Sequence, residues 1–202
     1  PAQVLFAPTD RESIEGAAIT RDAVLVAGYH NVRGRLLRLA FTDGAWSTTA
    51  IPLPTNGSVG FAGGSPLESV SFAIYEDFLS PSTLYVIEDE SRSARVVRAL
   101  PAQFDASPYI TEQHEAVSRD GTRVPYFVLR RRDMPLNGEN PTLLYGYGGF
   151  NVSLTPAFAL RNLIWLEMGG VYAQPSLRGG AEYGEEWHSA GTKANKQNVF
   201  DD

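Results

Sequence analysis

Cysteine is absent from the 202 residues of this chain, which excludes disulfide bonds and thiolate metal ligands. Basic residues are outnumbered, with 17 Lys and Arg against 23 Asp and Glu. The resulting net charge of -6 argues against a nucleic-acid-binding surface. No run of apolar residues approaches the roughly 20 that a membrane-spanning helix needs. The hydrophobic content of 43% is that of an ordinary globular protein.

The first half of the chain predicts a series of short β-strands. Apolar segments lie at residues 23–29, 34–41 and 46–54, and residues that favour turns separate them at 33–34 and 42–44. Short strands joined by tight turns in this way are typical of antiparallel β-structure.

These strands recur along the sequence. Residues 70–75 repeat the pattern of residues 24–29 at an offset of 46, and residues 84–87 repeat that of 36–39 at an offset of 48. A repeat of about 45 residues built from short strands is the period of a β-propeller blade. Because two repeats cannot close a propeller, which has about 4–8 blades, residues 1–102 are predicted to be the last blades of a longer propeller. Two unrelated meanders are the alternative.

The strand pattern of the first half ends near residue 104. Polar and proline residues at 104–109 predict a crossing between two domains, and residues 103–202 are assigned to the second domain. An Asp-Gly pair between two apolar segments then predicts a hairpin of residues 110–117 with residues 123–130.

A strand–helix–strand unit follows the hairpin. Residues 142–145 predict a short buried strand, and a Thr-Pro pair at 155–156 predicts the N-cap and first position of a helix. The helix is expected to end at the glycine pair 169–170, before a strand at 171–173. Residues 198–202 predict the first turn of a further helix. This order of elements predicts a parallel sheet.

Three glycines occupy residues 146–149 around a single tyrosine, Tyr147. Glycine lets the backbone turn sharply and approach another group closely. A strand that ends in such a loop, with one hydrogen-bond donor held in it, suits the stabilisation of a developing negative charge. In α/β-hydrolase folds a loop of this kind supplies part of the oxyanion hole. The alternative is a tight turn with an exposed tyrosine.

A second glycine-rich loop follows the next strand, with the sequence Leu-Arg-Gly-Gly-Ala-Glu-Tyr-Gly-Glu-Glu-Trp-His at residues 177–188. Together with Tyr-Gly-Tyr-Gly-Gly-Phe-Asn at 145–151 and Asn-Lys-Gln-Asn-Val-Phe-Asp-Asp at 195–202, it resembles the prolyl oligopeptidase family of serine peptidases. The resemblance is long and ordered along the chain. It implies a mixed fold class: the C-terminal blades of a β-propeller, followed by the N-terminal part of an α/β-hydrolase domain with a parallel sheet and flanking helices.

The same resemblance implies a function. It implies a serine endopeptidase that hydrolyses short peptides on the carboxyl side of proline through an acyl-enzyme, with a propeller that excludes folded proteins. Tyr147 resembles the oxyanion-hole tyrosine, and Phe150 resembles a wall of the pocket that holds the substrate proline, with plain core as the alternative for Phe150. Short proline-containing peptides are the expected partners of a monomer that uses no cofactor, metal, nucleic acid or membrane. A related oligopeptidase specific for basic or acylated residues is the alternative function.

The catalytic triad of an α/β-hydrolase is not found among these residues. A Gly-x-Ser-x-Gly elbow is approached at 56–60 and at 63–67. The first lacks its leading glycine and the second ends in Pro-Leu, so both are interpreted as turns of the blades. By the resemblance, the nucleophile, acid and base follow Asp202, and the chain is expected to be an internal piece of a cytoplasmic or periplasmic enzyme. An inactive binding fragment is the third hypothesis.

The second glycine-rich loop also contains a histidine and an arginine with predicted roles. His188, in the second glycine-rich loop, is expected to bond to loop backbone rather than act in catalysis, and none of the three histidines has the spacing of a metal site. Arg178 is expected to order its loop through an ion pair, in the company of Glu182, Glu185 and Glu186.

Overall fold

The computed structural model describes residues 2–88 and 93–202. These residues divide into two compact units. One consists of Pro1–Asp77 with Pro81–Pro101, and the other of Phe78–Ser80 with Ala102–Asp202. The described part of the first unit is built from strands, and the second combines a sheet with helices.

The first unit contains two four-stranded antiparallel sheets, in which each strand pairs with the next along the chain. The strands of the first sheet are β1 (Glu12–Ile19), β2 (Val24–His30), β3 (Arg33–Thr42) and β4 (Ala45–Ile51). Those of the second are β5 (Gly57–Gly64), β6 (Val70–Asp77), β7 (Thr83–Glu88) and β8 (Ser93–Ala99). The repeated pattern in the sequence therefore corresponds to two copies of one four-stranded sheet, as expected for propeller blades.

The two sheets share one apolar core. Leu25 and Leu36 of the first sheet and Val59 and Ile87 of the second belong to a single buried cluster. Alternate residues of each strand face this core because successive side chains point to opposite faces of a sheet. Ala27 and Ala73, which occupy equivalent positions of the two repeats, both lie in this cluster, whereas Phe72 and Ile74 of the second repeat are partly exposed.

The predicted turn between β2 and β3 is misplaced by two residues. The turn lies at Asn31 and Val32, whose φ angles are 49° and 60°, whereas Arg33 and Gly34 belong to β3. Gly34 serves close packing instead, since a Cβ there would lie 2.7 Å from the carbonyl oxygen of Gly57. Gly34 thus allows two strands to approach closely and is not a turn residue.

The prediction that residues 56–60 form a blade turn is wrong, because Gly57–Gly64 forms strand β5. For residues 63–67 it is correct from residue 65 onward, where the chain turns between β5 and β6. A Cβ at Gly57 would lie 2.2 Å from the carbonyl oxygen of Glu76 and 2.4 Å from the ring of Tyr75. The glycines of β5 thus reflect close packing within the blade. Glycine has a low strand propensity, so β5 forms because it pairs with β6.

The sheet of the second unit has the order β11-β12-β10-β9. Its strands are β9 (Tyr109–Val117), β10 (Arg123–Arg131), β11 (Thr142–Leu144) and β12 (Val171–Pro175). The predicted hairpin is confirmed as β9 and β10. β11 and β12 are parallel, as predicted, whereas β10 pairs with both of its neighbours antiparallel. The sheet is therefore mixed.

Three α-helices and one 3₁₀ turn accompany this sheet in the described residues. They are α1 (Leu160–Glu167), α2 (Glu185–Ser189), the 3₁₀ turn (Lys193–Asn195) and α3 (Gln197–Asp201). Leu163 and Leu166 of α1 are buried, and Phe78 packs its ring 5.3 Å from that of Phe127 on β10. The further helix predicted at 198–202 is confirmed as α3.

The helix α1 begins later than predicted, because Ala159 is its N-cap, with an extended backbone. Buried side chains hold the backbone that precedes it. The N–H of Leu154 donates to Oε1 of Glu182 at 2.8 Å, and Nε2 of Gln174 donates to the carbonyl oxygen of Leu154 at 3.3 Å. Nε2 of Gln174 also donates to the carbonyl oxygen of Thr155 at 3.5 Å, the group that would accept the first bond of a helix capped by Thr155.

The strand predicted at 142–145 is present, but its predicted burial is wrong. β11 is an outer strand of the sheet, and Leu143 and Leu144 are 47% and 69% exposed. An apolar run predicts a strand, whereas its burial depends on which neighbouring elements cover it.

Candidate active site

The loop that leaves β11 contains Tyr147 and is called here the tyrosine loop (residues 146–151). Its start continues the parallel pairing, since the N–H of Tyr145 donates to the carbonyl oxygen of Ala173 at 2.9 Å. Gly148 has a φ of 60°, and a Cβ there would lie 2.5 Å from Cγ1 of Val199. This position requires glycine both for its backbone conformation and for its packing.

The loop that leaves β12 is called here the arginine loop (residues 177–184). The two loops are bonded directly, because the N–H of Asn151 donates to the carbonyl oxygen of Gly179 at 3.2 Å. Nδ1 of His188 lies 2.8 Å from the same oxygen and donates to it. The expectation that His188 bonds to loop backbone is confirmed.

Tyr147 is held at the surface of this unit. Its side chain is 46% exposed, and no other described residue hydrogen-bonds to its hydroxyl group. A phenolic hydroxyl both donates and accepts, so this group is available to a substrate. The neighbouring glycines bring backbone, rather than side chains, to its two sides.

Phe150 is 87% exposed and therefore does not belong to the core of this unit. With Asn151 it forms part of a pocket of about 610 Å³, which also includes His188 and Thr192. The φ angles of Phe150 and Asn151 are 52° and 57°. Two successive non-glycine residues in this conformation are costly and persist only where surrounding contacts hold them.

Arg178 is the centre of a buried ion-pair network. Its backbone N–H and guanidinium both donate to the carboxylate of Asp202, and the guanidinium also donates to Asp120 and to the hydroxyl of Ser118. Hydrogen bonds to Asp202 raise the pKa of Arg178, and those from Arg178 hold the pKa of Asp120 well below its ordinary value. The network ties the β9–β10 turn and α3 to the arginine loop.

Sequence reasoning anticipated the ordering role of Arg178 but not its partners. The glutamates at 182, 185 and 186 make none of its bonds; the acids that do so lie 58 residues before it and 24 residues after it. The Asp-Gly pair that predicted the hairpin contains one of them, Asp120, but no local pattern links it to Arg178.

Glu182 is buried without an ionic partner. Only 2% of its surface is exposed, and Oε1 accepts a hydrogen bond from the N–H of Leu154. Its other oxygen, Oε2, has no hydrogen-bond partner among the described residues. Burial raises its pKa to about 7, because a charged carboxylate is poorly solvated there.

Two further classes of feature are absent from the parts of the chain that the structure describes. No group of three His, Asp or Glu side chains is placed to hold a metal ion within residues 2–88 and 93–202. In the same residues no helix has the length and apolar character that crossing a membrane requires.

Propeller-type antiparallel sheets followed by the start of an α/β-hydrolase domain, with a tyrosine in a glycine-rich loop after an early strand, define a class of two-domain hydrolases. Residues 2–99 match the family model described as prolyl oligopeptidase, N-terminal beta-propeller domain, and residues 156–202 match that of the prolyl oligopeptidase family. The chain belongs to the prolyl oligopeptidase family of serine peptidases.

Individual relatives agree with this assignment. The chain is 37% identical to a prolyl endopeptidase of Elizabethkingia miricola over 92% of its own length and 25% of the relative's. It is 38% identical to a peptidase of Sinorhizobium fredii, y4nA, over 98% of its length and 28% of the relative's. A post-proline cleaving enzyme from Rickettsia typhi has a similar structure, with a TM-score of 0.85 and 31% identity over 98% of this chain and 29% of that one. The chain thus spans between a quarter and a third of the length of each of these relatives.

Proposed function

We propose that the whole protein is a serine endopeptidase that cleaves short peptides on the carboxyl side of proline. Residues 1–102 contribute the last blades of its propeller, and residues 103–202 contribute the first half of its catalytic domain. The names of the Elizabethkingia miricola and Rickettsia typhi relatives support this specificity. The substrate partners are short proline-containing peptides, and the enzyme acts as a monomer.

The observation that carries the proposal is the exposed hydroxyl group of Tyr147. Its hydroxyl is unbonded within the described residues and half exposed, on a loop whose backbone is fixed by the arginine loop and by α3. A donor that is held in advance stabilises the oxyanion without reorganising during the reaction. When a serine supplied elsewhere in the protein attacks the peptide carbonyl, Tyr147 donates to the oxygen on which negative charge develops.

Phe150 supplies the second part of the site. An exposed aromatic ring at the end of the tyrosine loop offers a flat apolar face, and a pyrrolidine ring packs well against such a face. In this role Phe150 positions the residue before the scissile bond, while Tyr147 acts on the carbonyl of that same residue.

The test is hydrolysis by the whole protein of three chromogenic peptides that differ only in the residue before the chromophore: proline, arginine or alanine. We expect kcat/KM for the proline peptide to exceed that for the other two at least about tenfold. Preference for arginine would indicate the sister specificity for basic residues. Failure to cleave any of the three, in a protein that is folded, would support a binding protein instead of a peptidase.

A further inference from the structure

Lys196 makes a direct contact with the tyrosine loop. Its Nζ donates to the carbonyl oxygen of Gly148 at 2.8 Å, and Gly148 follows Tyr147 in the chain. Lys196 is the N-cap residue of α3, and Val199 of the same helix packs against Gly148. One helix therefore contacts one residue of the tyrosine loop twice, through an apolar side chain and through an ammonium group.

The tyrosine loop needs such support because its backbone is strained. Gly148, Phe150 and Asn151 all have positive φ, and each non-glycine residue in that region costs of order 1–3 kcal/mol. Loop hydrogen bonds, such as that from the N–H of Val152 to the carbonyl oxygen of Gly149 at 3.1 Å, fix the end of the loop. The bond from Lys196 fixes its middle, directly beside Tyr147.

Within the described residues, no carboxylate forms an ion pair with Lys196. Its Nζ lies 5.8 Å from the ring centroid of Phe200 and close to Gly149, where a Cβ would lie 3.8 Å from Nζ and 3.9 Å from Cε1 of Tyr147. An ammonium bonded to the carbonyl of Gly148 polarises that peptide unit, so the N–H of Gly149 becomes a stronger donor. A positive charge at this point favours negative charge that develops near Tyr147.

We propose that Lys196 is a positioning residue for catalysis, which holds the tyrosine loop in its strained conformation and adds positive potential behind Tyr147. This inference rests on the proposed peptidase function of the site. Lys196 itself need not touch the substrate, because it acts through the peptide between Gly148 and Gly149.

The kinetic test compares Lys196→Met and Lys196→Arg in the whole protein, with Gln197→Met as a matched control on the next residue of α3. Gln197 is exposed, and among the described residues its side chain bonds only to Asp201 of the same helix. For a proline peptide amide we expect Lys196→Met to lower kcat about 10- to 100-fold, with KM changed less than about twofold. Lys196→Arg should recover most of kcat, and the control should match the wild type. Wild-type kcat in Lys196→Met, or a loss confined to KM, would overturn the inference.

A second measurement does not depend on peptidase activity. Hydrogen exchange of the backbone amides at residues 148–152 should be faster in Lys196→Met than in the wild type or in Gln197→Met, because the loop loses its central bond. Unchanged exchange would overturn the positioning role whatever the substrate. A wild-type protein that cleaves no proline peptide, yet shows this exchange pattern, would refute the proposed function while supporting the contact's role in holding the loop.

Discussion

Nη2 of Arg178 lies 2.6 Å from Oδ1 of Asp202, and both side chains are almost completely buried. The pair joins the arginine loop to the last helix of the chain, and Ser118 also donates to the same oxygen of Asp202 at 2.7 Å. A buried ion pair with this many hydrogen bonds is costly to break, because the partner that remains is left charged and desolvated.

Asp202→Asn should therefore destabilise the second unit by about 3–5 kcal/mol. The measurement is urea unfolding of the whole protein, followed by tryptophan fluorescence. Asp133→Asn is the matched control, since Asp133 pairs with Arg131 at the surface, where such pairs contribute at most about 1 kcal/mol. Equal effects of the two substitutions would show that burial of the Arg178 pair adds nothing to stability.

Glu182→Gln should change how stability depends on pH. The pKa of Glu182 is about 7 in the folded protein, against an ordinary value of 4.5. Between these values the folded state keeps a proton that the unfolded state releases, so stability falls as pH rises through the window. We expect the wild type to lose about 3 kcal/mol relative to Glu182→Gln between pH 4.5 and 7.

The comparison cancels the titration of all other groups, and Glu186→Gln, at an exposed position of α2, is the control. Parallel curves of stability against pH for the wild type and Glu182→Gln would contradict the raised pKa of Glu182.

Tyr147→Phe should slow the chemical step and leave folding unchanged. The ring is kept and only the hydroxyl is removed, so packing is preserved. If the hydroxyl donates to the oxyanion, kcat for a peptide with a poor leaving group should fall about 10²–10³-fold with little change in KM. A normal kcat with a raised KM would mean that Tyr147 merely binds substrate, and normal values of both would make it an ordinary turn residue.

Phe150→Ala should weaken binding of proline peptides without affecting stability. Because the ring is 87% exposed, its loss should change the free energy of unfolding by less than about 0.5 kcal/mol. KM for a proline peptide should rise about tenfold, as expected when an apolar contact of one to three kcal/mol is removed. Leu136→Ala, at a loop residue that is 73% exposed, is the control. A large loss of stability in Phe150→Ala would indicate that Phe150 is a core residue instead of a wall of the substrate pocket.

Much of the fold could be predicted from the sequence, because strands and blades are repeated local patterns. The segments that became β2, β3, β6 and β7 alternate or run apolar over the length of a strand, and their spacing repeats. β1, β5 and β8 were not predicted: Glu12–Ile19 contains only two large apolar residues, Gly57–Gly64 is half glycine, and Ser93–Ala99 carries two arginines. Each of these strands pairs with a neighbouring strand of its sheet, and this pairing orders segments whose local pattern is weak.

The candidate site likewise has features that the sequence predicts and features that only the structure shows. The position of Tyr147 between glycines was visible in the sequence, as was the backbone role of His188, because both depend on residues within nine positions along the chain. The partners of Arg178 and the contact of Lys196 with Gly148 were not visible, since 24 to 58 residues separate the atoms that meet.

The sequence by itself determined the family, most of the strands, the helices α1 and α3, and the loop in which the candidate oxyanion donor lies. These depend on periodicity, glycine placement and ordered motifs, which are local properties of a chain. Only the tertiary structure decided that Glu182 is buried without a counter-ion, that β11 is exposed, and that α3 supports the tyrosine loop through Lys196. Burial and charge pairing depend on which distant segments pack together, and no local pattern in the chain encodes those distances.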